Sequence, residues 1–290
     1  MKKYHSVLIA AAFIFFTACK KSTPNNNDVT ISAKTMLDVA YGTDPAQKMD
    51  IYLPANRNTT NTKVMIMIHG GAWTAGDKAD FTQYVDTMRN RLPGYAIFNI
   101  NYRLAAGTTN LFPTQEVDVK AAFEFIYGNA PTYLVSNSKW VCIGASAGGH
   151  LAMLQSFKNI IPVKIKAVAS LFGPSDMVDM YNNPVGGNPL LAALVAAVVG
   201  GTPATQPLLY ATGSPITYIN GNSSPTILLH GGVDPLVRPE QSTAVRDKLT
   251  LAGVANQYVF YPTGGHGDWD AATYKDAFNN IQAFFEAKNP

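Results

Sequence analysis

Charge is scarce in this chain: only 14% of its 290 residues are Asp, Glu, Lys or Arg, against a usual ~25%. Asn, Thr, Ser and Gly fill the polar positions instead. The formal excess of +3 is too small to suggest a nucleic-acid partner. Cysteine is scarcer still. Cys19 and Cys142 allow one disulfide at most. No cysteine cluster, H-x-x-x-H pair or G-x-G-x-x-G after the first strand candidate is present, so nothing points to a metal or a dinucleotide. Apolar residues are not lacking. At 47% hydrophobic and 11% aromatic the chain is too rich in core formers to be disordered. Its length suits one large α/β domain or two small ones.

No hydrophobic run is long enough to span a bilayer, which takes about 20 residues. The run at 7–16, behind Lys2 and Lys3, is too short and fits a secretory segment. Phe16-Thr17-Ala18-Cys19 then resembles a bacterial lipobox, cleaved before a cysteine that takes up lipid, although Phe16 stands where Leu is usual. The expectation is a lipoprotein signal peptide at 1–18, lipidation at Cys19, and an exported protein anchored to a membrane. Ordinary cleavage near Ala18 is the alternative. Losing 1–18 removes two lysines and no acid, so +3 becomes +1. Residues 19–34 hold KKSTPNNND at 20–28, a flexible tether in composition. With Cys19 lipidated, Cys142 has no partner and reads as a small buried hydrophobe.

From residue 35 to 290, short apolar runs alternate with helical patterns, which argues for βαβ units and a mostly parallel sheet. Strands are expected at 48–53, 64–69, 96–101, 140–144, 167–171, 226–230 and 257–261. The central ones are continuously apolar, as when helices cover both faces of a sheet. Helical spacing predicts one stripe through Val117, Ala121 and Phe125, and another through Val245, Leu249 and Ala252 that stops at Gly253. A third runs through Tyr274, Phe278, Ile281 and Phe285 and reads as core packing. The stretch 177–222 breaks the rhythm and reads as an insertion with one apolar helix near 190–199. It either lines a pocket or covers the core.

Gly144-Ala145-Ser146-Ala147-Gly148 has the form G-x-S-x-G directly after a strand candidate and before a helical pattern. That is the setting of a nucleophile elbow, whose sharp turn pushes the serine hydroxyl outward. A serine needs a base held by a carboxylate. His266, in Gly264-Gly265-His266-Gly267, and Asp234, after Gly231-Gly232, both lie just beyond strands. Pro235 disfavours helical geometry at Asp234. The order Ser146, Asp234, His266 is that of the α/β-hydrolase triad. Rival acids are Asp176, Asp268 and Asp270. His5 falls in the signal, His69 and His230 precede the other members, and His150 reads as structural.

Charge developing on an ester oxygen calls for fixed N–H donors. His69-Gly70-Gly71-Ala72-Trp73 follows the strand at 64–69, where such a loop belongs, and Gly71 or Ala72 with Ala147 are the expected donors. The stretch from Gly71 to Lys78 also resembles a P-loop. Asp77 stands at its lysine position and Ala79 at its hydroxyl position, so phosphate binding is not expected.

The segments IYLP (51–54), IHGGAWTAGDK (68–78), NYRL (101–104), GASAGGHLA (144–152), SPITYI (214–219), D-x-x-V (234–237) and GGHG (264–267) together resemble bacterial α/β-hydrolase esterases. They are most similar to the acetyl-xylan and feruloyl esterase-like (BD-FAE-type) branch, related to hormone-sensitive-lipase-like carboxylesterases. The resemblance implies an α/β-hydrolase fold, mostly parallel with helices on both faces and a small insertion between the sixth and seventh strands. It implies a serine carboxylic ester hydrolase that needs no cofactor, with a small-molecule or polysaccharide ester as substrate. Ser146 would attack, His266 carry the proton and Asp234 orient His266. Trp73, Tyr102 and Phe172 are candidates to line the acyl or sugar site, though each fits packing equally well. Acetyl or feruloyl groups on carbohydrate are the expected targets. A short-chain lipase-like esterase and a non-catalytic binding protein on the same scaffold are the alternatives.

Overall fold

The computed structural model describes Met1 and residues 30–290. Every described helix and strand belongs to the unit Ile31–Pro290. Apart from Met1, the expected signal segment, Cys19 and most of the tether lie outside the described residues. Ile31 O accepts from Asn56 N at 2.8 Å, and Ser32 O from Arg57 Nη1 at 2.6 Å, ahead of the first strand.

Among the described residues, eight strands form one sheet: β1 Lys34–Ala40, β2 Lys48–Leu53, β3 Lys63–Ile68, β4 Tyr95–Ile100, β5 Trp140–Ala145, β6 Ala167–Leu171, β7 Thr226–Gly231 and β8 Asn256–Tyr261. Their order is β1-β2-β4-β3-β5-β6-β7-β8, antiparallel at β1/β2 and β2/β4 and parallel elsewhere. This is the expected α/β-hydrolase architecture with one strand more than the apolar runs indicated. The missed β1 is an edge strand, largely exposed and broken by an irregularity between Met36 and Val39.

Nine α-helices accompany these strands among the described residues: α1 Thr82–Arg91, α2 Thr114–Gly128, α3 Ala130–Tyr133, α4 Ala147–Phe157, α5 Met177–Asn182, α6 Pro189–Val199, α7 Pro207–Thr212, α8 Glu240–Leu251 and α9 Ala271–Lys288. The sheet separates two cores, which is why β3 is apolar from Val64 to Ile68. Val64, Ile66 and Ile68 face the core beneath α2, α4 and α8, while Met65 and Met67 face that beneath α1 and α9. All five are fully buried, each contributing ~1.5–3 kcal/mol relative to exposure.

The stripe expected on α2 is displaced. Val117 is 54% exposed, and the core takes Val119, Ala122, Phe123 and Ile126. Ala121 and Phe125 only flank that core. The other two stripes face inward, with Val245, Leu249, Phe278, Ile281 and Phe285 all buried. Gly253, with φ +71°, follows α8 in the left-handed region that closes helices.

The stretch 177–222 lies between β6 and β7 and holds α5, α6 and α7, with the apolar run at 190–199 forming α6. Asn188 caps α6 by accepting from Leu190 N at 3.0 Å, and its buried Val195, Val198 and Val199 join the core of α2 and α4. The insertion therefore covers the core.

In the centre of the sheet, β4 and β5 lie on opposite sides of β3. The chain thus leaves β3 and β5 in opposite directions, opening a crevice at their carboxyl ends, where ligands of open α/β sheets bind.

Candidate active site

Ser146 is the hinge between β5 and α4. Its backbone sits at φ 54°, ψ −122°, a conformation that costs a non-glycine residue on the order of 1–3 kcal/mol. It persists because the turn is tied and crowded on every side. Ser146 N donates to Leu171 O on β6 at 2.9 Å. A Cβ on Gly144 would stand 2.2 Å from Gly148 O, and one on Gly148 would stand 2.1 Å from Ile68 O. The G-x-S-x-G glycines are required by the closeness of these backbones.

Asp234 and His266 reach the same point from the loops after β7 and β8. Asp234 Oδ1 accepts from Leu236 N at 2.8 Å and Val237 N at 2.9 Å, which fixes the carboxylate within its own turn. Its Oδ2 lies 2.7 Å from His266 Nδ1, and His266 Nε2 lies 2.8 Å from Ser146 Oγ. The Asp234 side chain is fully buried and that of His266 is 11% exposed. Burial opposes ionisation of Asp234, but hydrogen bonds from His230, His266 and Val237 outweigh it and hold the carboxyl well below the usual range. An ionised carboxylate only accepts. His266 Nδ1 must then carry the proton, which leaves the Nε2 lone pair for the serine hydroxyl.

The rival acids have other partners. Asp176 caps α5 by accepting from Asp179 N, and Asp270 caps α9 by accepting from Thr273 N. Asp268 is exposed.

The loop after β3 carries three consecutive left-handed residues: Gly71 at φ +108°, Ala72 at +51° and Trp73 at +61°. A Cβ on Gly71 would stand 2.0 Å from Ala75 O, so only glycine fits there. Gly71 O is consumed by Thr74 N and Ala75 N. Among the described residues, the backbone N–H groups of Gly71, Ala72 and Ala147 meet no acceptor. The P-loop resemblance ends here. Asp77 caps the next short turn, and Lys78 pairs with Asp38 at 3.0 Å and Asp50 at 3.1 Å.

Trp73, Tyr102 and Phe172, candidates for the acyl or sugar site or for packing, are all buried. Trp73 and Tyr102 are each 1% exposed. Tyr102 stacks on His69 at 4.4 Å and donates from its hydroxyl to His69 O at 3.1 Å, bracing the loop. Trp73 Nε1 donates to His150 Nδ1 at 3.2 Å. Phe172 packs its ring 4.5 Å from that of His266. A residue type indicates what could bind a sugar, but not which side of a loop it faces.

His230, which precedes Asp234 in the chain and fits the base role poorly, stands beside the acid instead. Its Nε2 faces two acceptors, Val237 O at 2.9 Å and Asp234 Oδ2 at 3.4 Å, while Nδ1 meets Ser242 Oγ at 2.7 Å. The available signal was its place at the end of β7, four residues before Asp234. Cys142 is a free buried thiol with its pKa raised by burial. Among the described residues no cluster of three or more His, Cys, Asp or Glu could hold a metal, and no helix is long and apolar enough to cross a membrane.

A protein-family model described as BD-FAE matches residues 49–249. Esterase LipC of Mycobacterium tuberculosis is 27% identical over 241 residues, spanning 79% of this chain and 59% of its own length. The chain thus spans little more than half of this curated relative. Among solved structures, a bifunctional GH43-CE protein of Bacteroides eggerthii superposes with a TM-score of 0.74 at 30% identity, covering 88% of this chain and 38% of the other. A truncated carbohydrate esterase from gut microbiota gives 0.73 at 25% identity, covering 88% and 96%.

Proposed function

This chain belongs to the BD-FAE family, and from that premise we propose that it is a serine-dependent carboxylic ester hydrolase that removes acetyl or feruloyl-type groups from carbohydrate. One observation carries the chemistry: an unbroken line of hydrogen bonds from Ser146 Oγ through His266 to Asp234, at 2.8 and 2.7 Å, at a serine held in a strained turn.

Ser146 Oγ attacks the ester carbonyl while His266 Nε2 takes its proton. Asp234 holds Nδ1–H and stabilises the imidazolium that forms. The carbonyl oxygen becomes an oxyanion facing Ala147 N–H and that of Gly71 or Ala72, and one such donor is worth about 10²–10³ in rate. His266 returns the proton to the departing alcohol. Water then cleaves the acyl-serine by the same steps, with His266 again as base.

Carbohydrate as the alcohol is supported by the GH43-CE and carbohydrate esterase neighbours. The test is hydrolysis of acetylated xylan, feruloylated glycan and short triglycerides by the wild type, with Ser146→Ala as control. Preference for a carbohydrate ester is expected, with no turnover in the variant. Preference for triglyceride would replace this reading with a short-chain lipase-like one. The lipobox-like Phe16–Cys19 stretch supports export and anchoring through lipid on Cys19. Incorporation of an alkyne-tagged fatty acid, lost in Cys19→Ser, is the expected result. Unchanged labelling in that variant would remove the anchor.

A further inference from the structure

Trp73 Nε1–H can only donate, and it meets His150 Nδ1 at 3.2 Å. That atom therefore holds a lone pair, and the ring proton sits on Nε2, 2.6 Å from Gly213 O. One tautomer serves both bonds. The ring is fully buried, with Trp73 against it edge-on at 5.2 Å and 88°. The backbone N–H of His150 also donates to Ser146 O at 3.0 Å. A single residue thus touches the backbone of the nucleophile, the loop after β3 and the chain just past α7 in the insertion.

We infer that His150 is a positioning residue for oxyanion stabilisation: by accepting from Trp73 it holds the left-handed run Gly71–Ala72–Trp73 in place, and by donating to Gly213 it makes the insertion part of that support. This rests on the esterase reading above. The loop needs such support. Ala72 and Trp73 are both left-handed, a conformation that crowds the Cβ of any side-chain-bearing residue against the backbone. Strained residues of this kind persist only where surrounding contacts over-determine them. The other polar tie on Trp73 is its carbonyl, which accepts from Ala105 N at 2.9 Å. Without the indole bond, the loop relaxes and the Ala72 N–H drifts from where the oxyanion forms, although the ester can still bind. Burial, with a smaller contribution from Lys158, pushes His150 down to about 4, so the accepting lone pair persists at neutral pH.

The test compares the full-length wild type with Trp73→Phe, His150→Asn and His150→Phe. It measures kcat and KM on 4-nitrophenyl acetate and affinity for a trifluoromethyl ketone, which becomes a tetrahedral oxyanion on Ser146. Trp73→Phe keeps the aromatic bulk and removes only the donor. The expected result is a fall in kcat of about tenfold, KM within about twofold, and ketone affinity falling in parallel with kcat. That is a fraction of the loss on deleting a whole donor. His150→Asn, which keeps an acceptor near the Nδ1 position, should retain more kcat than His150→Phe. Melting temperature and fluorophosphonate labelling of Ser146 check that each variant is folded. A folded Trp73→Phe protein with wild-type kcat and ketone affinity overturns the inference whatever the His150 variants do. A wild type that neither hydrolyses the ester nor is labelled overturns the esterase reading, and this inference with it.

Discussion

Three hydrogen-bond donors converge on the two oxygens of Asp234, Leu236 N and Val237 N on Oδ1 and His266 Nδ1 on Oδ2, and His230 Nε2 stands 3.4 Å from Oδ2. The consequence is a carboxylate that cannot turn and can only accept, which dictates where the His266 proton resides. Asp234→Asn separates shape from charge. Its amide oxygen can still serve Leu236 and Val237, while its NH₂ faces His266 and moves the ring proton to Nε2, where it blocks the base. We expect a folded protein with kcat lowered by about 10⁴. A loss below tenfold contradicts the role given to Asp234. Ser146, Asp234 and His266 were legible because the fold imposes their order and places each after a strand. The inward turn of Trp73 and Tyr102 was not, because it depends on φ values and on partners 77 and 33 residues away.

The strands and the turns between them were the most readable elements. A parallel strand buried on both faces is apolar along most of its length, as β3 is beyond Lys63 and β4 is apart from the buried Asn99. The edge strand β1 carries no such pattern, since most of its residues face solvent. On α2, Val117 proved exposed while Gln115 and Asp118 are buried. Asp118 is paired with Arg103 at 2.6 Å and with Gln47 at 2.7 Å, so a polar network occupies part of the face that a count of apolar residues assigns to the core. Glycine gives the clearest test at this scale. Gly148→Ala drives a Cβ into Ile68 O and should lower stability by about 1–3 kcal/mol, with loss of hydrolysis. At Gly128, the last residue of α2, nothing lies within 4 Å of an added Cβ. Gly128→Ala should be neutral or stabilising by up to about 1 kcal/mol. Equal melting temperatures for the two variants contradict the close approach at the elbow.

Across the whole domain, two histidines are held below their ordinary range, His150 to about 4 and His69 in the same direction, each chiefly by burial. The unfolded chain takes up protons near pH 6.5 that the native state refuses. Their contribution to stability is therefore complete above about pH 6.5 and is lost as pH falls toward 4. The melting temperature should be level from pH 9 to 7 and decline below 6.5, with a shallower decline in His150→Asn. Parallel curves for the two proteins contradict this assignment. The depressed Asp234 carboxyl acts with the same sign but further down, below the usual carboxylate range.

The central claim is that Ser146 is a nucleophile. Mass spectrometry after treatment with a fluorophosphonate tests it most directly, because the reagent bonds only to a serine whose hydroxyl is activated. One adduct is expected, on Ser146, and it is lost in His266→Ala. No adduct, or one on another serine in a protein that still hydrolyses esters as Ser146→Ala, would contradict it.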